Sequence, residues 1–346
     1  MRLRLSEVKN FREQDGRRAF EAVVLLRSRS VKTAKNSSEF LTLEFGDNSA
    51  SIPAMCFEGG PSFALLKDAP VGTALEIAAT ADFFNGRLSP KIDSARILSE
   101  DEAREALPSL VPVSKLDPAA MKAELEGFVE KISDAALRAT VLYALGGCGD
   151  FFTSVAAVKM HHAHMYGLLE HSLKMARMAS ALLPLYPFID ADLVLAGCIL
   201  HDIGKTVEYS QGLVADRTRI GMLQGHVVLG YRIVRRAGLK NSLAPDILAR
   251  LEHIILSHQG EPEWGAAVRA ATPEAVFVST IDNFDAKMGA LEAALDSAEG
   301  SEFVEVPALK VKMLADAPDY GRGEGGGDSG GSSAGAQPRE AGKAGE

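Results

Sequence analysis

The sequence predicts a multidomain α and β chain: a small N-terminal β-barrel, then an all-α helical bundle, then a disordered glycine-rich C-terminal tail. Three observations carry this. The first hundred or so residues break into short apolar runs separated by turn residues. From Asp117 onward the apolar spacing becomes helical, and all eight histidines fall between His161 and His258. Residues 321–346 hold ten glycines and almost no large apolar side chain, so burial cannot offset the entropy of ordering them. The 346 residues, 47% hydrophobic and 24% charged, are enough for more than one buried core.

Taken in order, strands are expected at Ala22 to Leu26, Phe40 to Phe45, Ser51 to Phe57, Ala74 to Ala78 and Leu88 to Ile97. The turns between them are Asp15-Gly16, Gly46-Asp47-Asn48 and Asn85-Gly86; both residues of the last tolerate positive φ, which marks a hairpin. Five short strands in this length suggest a barrel over residues 1–105. Residues 106–150 are expected to hold a linker, Leu107 to Pro112, and leading helices, the first announced by Asp117 as N-cap and Pro118 in the first turn. A bundle over 151–315 should contain helices near 163–182, 191–201, 225–237, 245–257 and 272–296, and 316–346 is the tail. No internal repeat is evident.

Net charge is −9 and the isoelectric point about 5.5, which argues against a surface wholly devoted to nucleic acid. Residues 1–35 are the exception, with ten Lys or Arg against four acids. The three cysteines show no CxxC spacing, and the first residues lack an apolar stretch of signal-peptide length, so a reducing cytoplasm is expected. The apolar stretch around Ala191 to Leu200 is too short to cross a bilayer, which needs about 20 residues, and no membrane association is expected.

The chemistry-bearing feature is His201-Asp202, at the end of the apolar run Leu193 to Leu200 and followed by Ile203-Gly204-Lys205. An imidazole and a carboxylate side by side supply nitrogen and oxygen ligands suited to several divalent metals. Two residues cannot close a site. His171, His226, His258 and Asp282 lie on other helical stretches and are the candidates to complete it if those faces turn inward. His253, five residues before His258, does not share its helical face well and reads as a packed or supporting residue. Asp285 and Lys287 read as a surface charge pair.

His171, His201-Asp202 and Asp282 resemble the H…HD…D signature of the HD-domain metal-dependent phosphohydrolases, an all-α fold. Phe151-Phe152-Thr153, His161-His162-Ala163, Gly167 to His171, Leu200 to Lys205, Gly225-His226, Ile255 to His258, Asp282-Asn283 and Asp285 to Lys287 together resemble the YhaM-type 3′-5′ exoribonucleases over about residues 1–315. That resemblance implies an OB-fold-like nucleic-acid-binding domain ahead of the HD domain. It also implies a hydrolase that shortens single-stranded RNA, with single-stranded DNA left open, to 5′-mononucleotides by attack of a metal-activated hydroxide. The implied cofactor is a pair of divalent ions, Mn first, with Co, Fe, Mg or Zn as alternatives. On this reading Asp202 bridges the ions, with His171, His201 and Asp282 around one and His226 and His258 around the other. Lys205 places a cation near the phosphate or, alternatively, caps its helix; His162 could protonate the scissile phosphate, and His161 could hold it. Arg17, Arg18, Arg29, Lys32 and Lys35, with Phe83 and Phe84, fit a basic groove with stacking rings. The relatives imply a homo-oligomer.

Two positions depart from the pattern: Gln259 stands where a second histidine usually follows Ser-His, and His164 stands where an aromatic is usual. The competing readings are an HD phosphohydrolase of small nucleotides and a non-catalytic nucleic-acid-binding protein. The leading β-rich region argues against the first. The number of polar groups on apolar helix faces argues against the second, since leaving each buried and unpaired costs about 1 to 3 kcal/mol.

Overall fold

A computed structural model describes residues 1–34, 36–154, 164–210, 215–296, 298 and 301–315. Lys35, His161, His162 and the expected tail over 316–346 lie outside the described residues.

A short helix, α1 (Leu5–Lys9), packs Leu5 and Val8 into the barrel core, and its start is pinned by the Leu5 N–H donating to Asp47 Oδ2 at 2.8 Å. The barrel is built on one long strand, β1 (Arg18–Thr33). Phe20, Ala22, Val24 and Leu26 alternate inward along it, the period-two pattern of a half-buried strand. Its first half pairs antiparallel with β4 (Ala74–Ala81), from Arg18↔Ala81 to Leu25↔Ala74. Its second half pairs with β2 (Glu39–Gly46), and a register shift between Leu26 and Ser28 lets one strand serve both neighbours. β3 (Ser51–Phe57) follows β2; α2 (Phe63–Asp68) then leads to β4.

A two-residue hairpin, β5 (Phe83–Phe84) and β6 (Arg87–Leu88), turns through Asn85 and Gly86 at φ 50° and 73°, as the Asn-Gly pair predicts. β7 (Lys91–Ile97) returns along β4 and meets β3 through one parallel bridge, Met55↔Lys91. The strand order β1-β2-β3-β7-β4 therefore curls back to β1, with the β3 to β7 join as its narrow point.

The expected linker is a correction. α3 (Glu100–Leu110) runs through Leu107 and Pro108, started by a capping box in which Ser99 and Glu102 satisfy each other's backbone N–H. Its last turn is held because Leu110 and Val111 pack with Leu25, Ala74 and Leu98 of the barrel, with Met165 and Val113 alongside. Burial outweighs the hydrogen bond that Pro108 cannot donate. The connector that remains is stitched to the segment before the next functional helix: Met165 N–H donates to Pro112 O, and Ser114 N–H to Met165 O.

The helical part comprises α4 (Pro118–Glu130), α5 (Ala135–Gly146), α6 (Gly167–Leu182), α7 (Ala191–Leu200), α8 (Lys205–Glu208), α9 (Arg219–Lys240), α10 (Pro245–Ser257) and α11 (Pro273–Asp296). Asp117, Asp134 and Asp190 cap α4, α5 and α7 by accepting first-turn N–H groups. α7 is the central element, buried at every residue from Leu193 to Leu200, in a core that also takes in Leu168, Leu173, Val234, Leu251, Ile254 and Val278. An all-round apolar helix has no solvent face, so its C-terminal His201 and Asp202 are delivered to the inside of the bundle.

Helix starts differ from expectation in two places. α6 begins at Gly167, after Tyr166 in the left-handed region at φ 67°. α9 begins early, at Arg219 under a Thr218 cap, and breaks at Gly225, whose φ of 67° and ψ of 161° redirect the chain at His226. Residues after Ala293 form a separate unit, in which β8 (Phe303–Val306) and β9 (Val311–Leu314) pair antiparallel. No helix among the described residues is long and apolar enough to cross a membrane.

Candidate metal centre

The end of α7 sets the site. His201 and Asp202 are buried, and His201 donates from Nδ1 to Cys198 O at 3.0 Å, which leaves its Nε2 lone pair facing inward. α6 brings His171 opposite, its Nε2 3.0 Å from His201 Nε2. α11 brings Asp282, whose Oδ1 lies 3.3 Å from His171 Nε2 and 3.9 Å from His201 Nε2. The break at Gly225 and the end of α10 supply His226 and His258.

Asp202 joins these groups. Its Oδ2 lies 3.4 Å from His201 Nε2 and 3.7 Å from His171 Nε2, while its Oδ1 lies 3.5 Å from both His226 Nε2 and His258 Nε2. One carboxylate thus serves two donor sets, His171-His201-Asp202 and Asp202-His226-His258, each able to hold a metal ion.

The outer nitrogens are engaged in a consistent way. His171 Nδ1 faces Asp285 Oδ2 at 2.7 Å, His226 Nδ1 faces Glu208 Oε2 at 3.0 Å, and His258 Nδ1 faces Ile255 O at 2.7 Å. Acceptors on every outer nitrogen fix each ring so that its Nε2 turns inward, the usual support of metal-binding imidazoles. Asp285 is accordingly a correction: it is buried at 5% exposure and orients His171, while Lys287 is exposed. Its signal was its spacing, three residues after Asp282 on the same helical face. Glu208 gave no sequence signal, because α8 alone carries it to His226.

Electrostatics favour the ionised carboxylates. Burial would raise the Asp202 pKa, but Lys205 and His201 outweigh it and hold it well below the ordinary value; Lys205 donates from Nζ to Asp202 Oδ2 at 2.6 Å. Burial likewise opposes the charged His171, yet Asp282 and Asp285 push its pKa up to about 9. The donor chemistry fits a divalent cation on a direct observation: Asp202 Oδ1 is buried without a hydrogen-bond donor, in a ring of inward imidazole nitrogens that have lone pairs and no protons to offer.

Residues 168–287 match the HD domain family model. The 3′-5′ exoribonuclease YhaM of Shouchella clausii (strain KSM-K16) is 32% identical over 290 residues, covering 83% of this chain and 89% of the relative. This chain belongs to the YhaM 3′-5′ exoribonuclease family. The YhaM of Geobacillus sp. (strain WCH70) is 30% identical over 291 residues, covering 82% of this chain and 87% of that protein. Family membership and the HD domain support a nuclease, hence a hydrolase, and the HD domain implies use of divalent metal.

The remaining expected residues are dispersed. His253 accepts the Ala271 N–H at 2.8 Å and so braces the approach to α11. His164 contacts Glu170 Oε2 at 3.0 Å, an oxygen that also accepts from Ser114. On the barrel, Arg17 pairs with Asp82 at 3.4 Å, and Arg18 lies over the Phe11 ring. Arg29 donates to the Lys67 carbonyl, and Lys32 is exposed near the far end of β1. Phe83 is half-buried, while Phe84 at the hairpin tip is 66% exposed.

Proposed function

We propose that the protein removes nucleotides from the 3′ end of single-stranded RNA, releasing 5′-mononucleotides, with two divalent ions held by His171, His201, Asp202 and Asp282 on one side and Asp202, His226 and His258 on the other. The observation that carries the reading is Asp202, whose two oxygens face separate donor sets. Divalent cations bound there supply Lewis-acid chemistry, acidifying water and neutralising charge that develops on the phosphate. Mn is the first choice among ions that such a nitrogen and oxygen set accepts, with Co, Fe, Mg and Zn as alternatives.

The chain's own groups then have defined tasks. Asp202 holds the two halves in register. Lys205, anchored on Asp202 Oδ2, presents a fixed positive charge at the edge of the site for a phosphate oxygen. His162 and His161 are assigned to the scissile phosphate. The barrel is assigned, as an OB-fold, to hold the strand upstream of the cut, through Arg17, Arg18, Arg29, Lys32 and Lys35 and through stacking on Phe83 and Phe84. An exposed ring at a hairpin tip supports this, because base stacking on aromatics contributes about 1 to 3 kcal/mol per base and is tolerant of sequence. Burial of Cys56 and Cys198 agrees with a cytoplasmic setting, where thiols remain reduced.

The test is a 5′-labelled single-stranded RNA incubated with purified protein and Mn²⁺. A ladder shortening from the 3′ end is expected, and Asp202→Ala should abolish both the ladder and bound metal while helical circular dichroism is kept. Turnover of mononucleotides without a ladder, or full activity of Asp202→Ala, would overturn the reading.

A further inference from the structure

Gln259 follows His258 at the end of α10, and its amide nitrogen lies 3.1 Å from His258 Nε2 and 3.2 Å from His226 Nε2. Those are the two nitrogens that face Asp202 Oδ1. Both imidazoles have their Nδ1 atoms set against acceptors, Glu208 and the Ile255 carbonyl, so both Nε2 atoms carry lone pairs. A primary amide offers two N–H donors, one for each. The opposite amide orientation would set an acceptor oxygen against two further acceptors, so hydrogen bonding selects the orientation with nitrogen inward. The other half is closed differently: His171 Nε2 and His201 Nε2 meet each other at 3.0 Å, and Lys205 donates to Asp202 Oδ2 at 2.6 Å.

We infer that Gln259 is a built-in occupant of the His226-His258 half, closing it in the ion-free protein and lowering the affinity of that half for a divalent ion. An ion entering this half needs the same two lone pairs, so both amide hydrogen bonds must break and the side chain must swing out first. This inference rests on the two-ion reading above and adds to it an affinity-setting side chain.

Calorimetric titration of metal-stripped, full-length protein with Mn²⁺, beside Gln259→Ala and Gln259→Glu, tests it without any substrate. The wild type should show two steps. Gln259→Ala should tighten one of them by about tenfold, as expected for removing two competing neutral hydrogen bonds, and leave the other unchanged. Gln259→Glu, an acceptor in place of the donor, should tighten it at least as much, and it keeps the test open if the alanine variant folds poorly. A wild type that takes up one ion and an alanine variant that takes up two would support the inference equally. The absence of a tightened step in both variants would overturn it, and a step weakened in both would mean that Gln259 itself ligates the ion. A single step in every protein would overturn the two-ion reading and this inference together. Two steps of unchanged affinity would overturn this inference alone.

Discussion

Asp285 illustrates how a side chain that never faces the ions can govern them. It is buried against His171 Nδ1, and the carboxylate both selects the tautomer and strengthens Nε2 as a donor. Asp285→Asn keeps the shape and removes the charge; it should weaken Mn²⁺ binding by roughly 10- to 100-fold in a calorimetric titration, with unfolding temperature in chelator little changed. Residue chemistry was legible from the sequence where type and adjacency declared it: His201 beside Asp202, with Lys205 one turn on. It was not legible for Glu208 or Asp285. A carboxylate reads as a solvated surface group until its burial is known, and burial is decided by which helix faces meet.

At the level of elements, the second donor set depends on how closely α8 lies on α9. A Cβ on Gly204 would sit 1.9 Å from the His226 carbonyl oxygen and 2.5 Å from Gly230 N, both backbone atoms that cannot step aside. Gly204→Ala should therefore push the two helices apart, destabilise the protein by about 1 to 3 kcal/mol in thermal unfolding, and loosen the second ion before the first. Helix existence was readable from apolar spacing and caps, as α10 at Pro245–Ser257 matches its expected span. α9 gains a turn ahead of its expected start, under the Thr218 cap, and the break at Gly225 falls where that start was expected; α3 extended through Pro108 because the barrel buries Leu110 and Val111. Tertiary burial overrode local punctuation in α3.

For the molecule as a whole, ions and folding should be linked. The donor set comes from α6, the end of α7, the middle of α9, the end of α10 and α11, so an ion bound there ties together segments from His171 to Asp282. Metal-stripped protein should gain stability on adding Mn²⁺, by about 2.7 kcal/mol at a hundredfold excess over the dissociation constant, read as a concentration-dependent rise in unfolding temperature. The seam between the barrel and α3 makes a second whole-molecule prediction. Leu110, fully buried there, should cost about 2 to 5 kcal/mol when changed to alanine, measured by denaturant unfolding. The seam was hidden in the sequence, since no periodicity within α3 identifies the strand ends that receive it.

The main-chain bonds that join Pro112 and Ser114 to Met165 give the connector a mechanical character. It works as a bracket: a ribbon bonded against the run into α6 ties the chain leaving α3 to the start of that helix. Inserting a few flexible residues after Ser114 would leave that bracket in place, whereas removing the partner run before Gly167 would turn it into a free swivel.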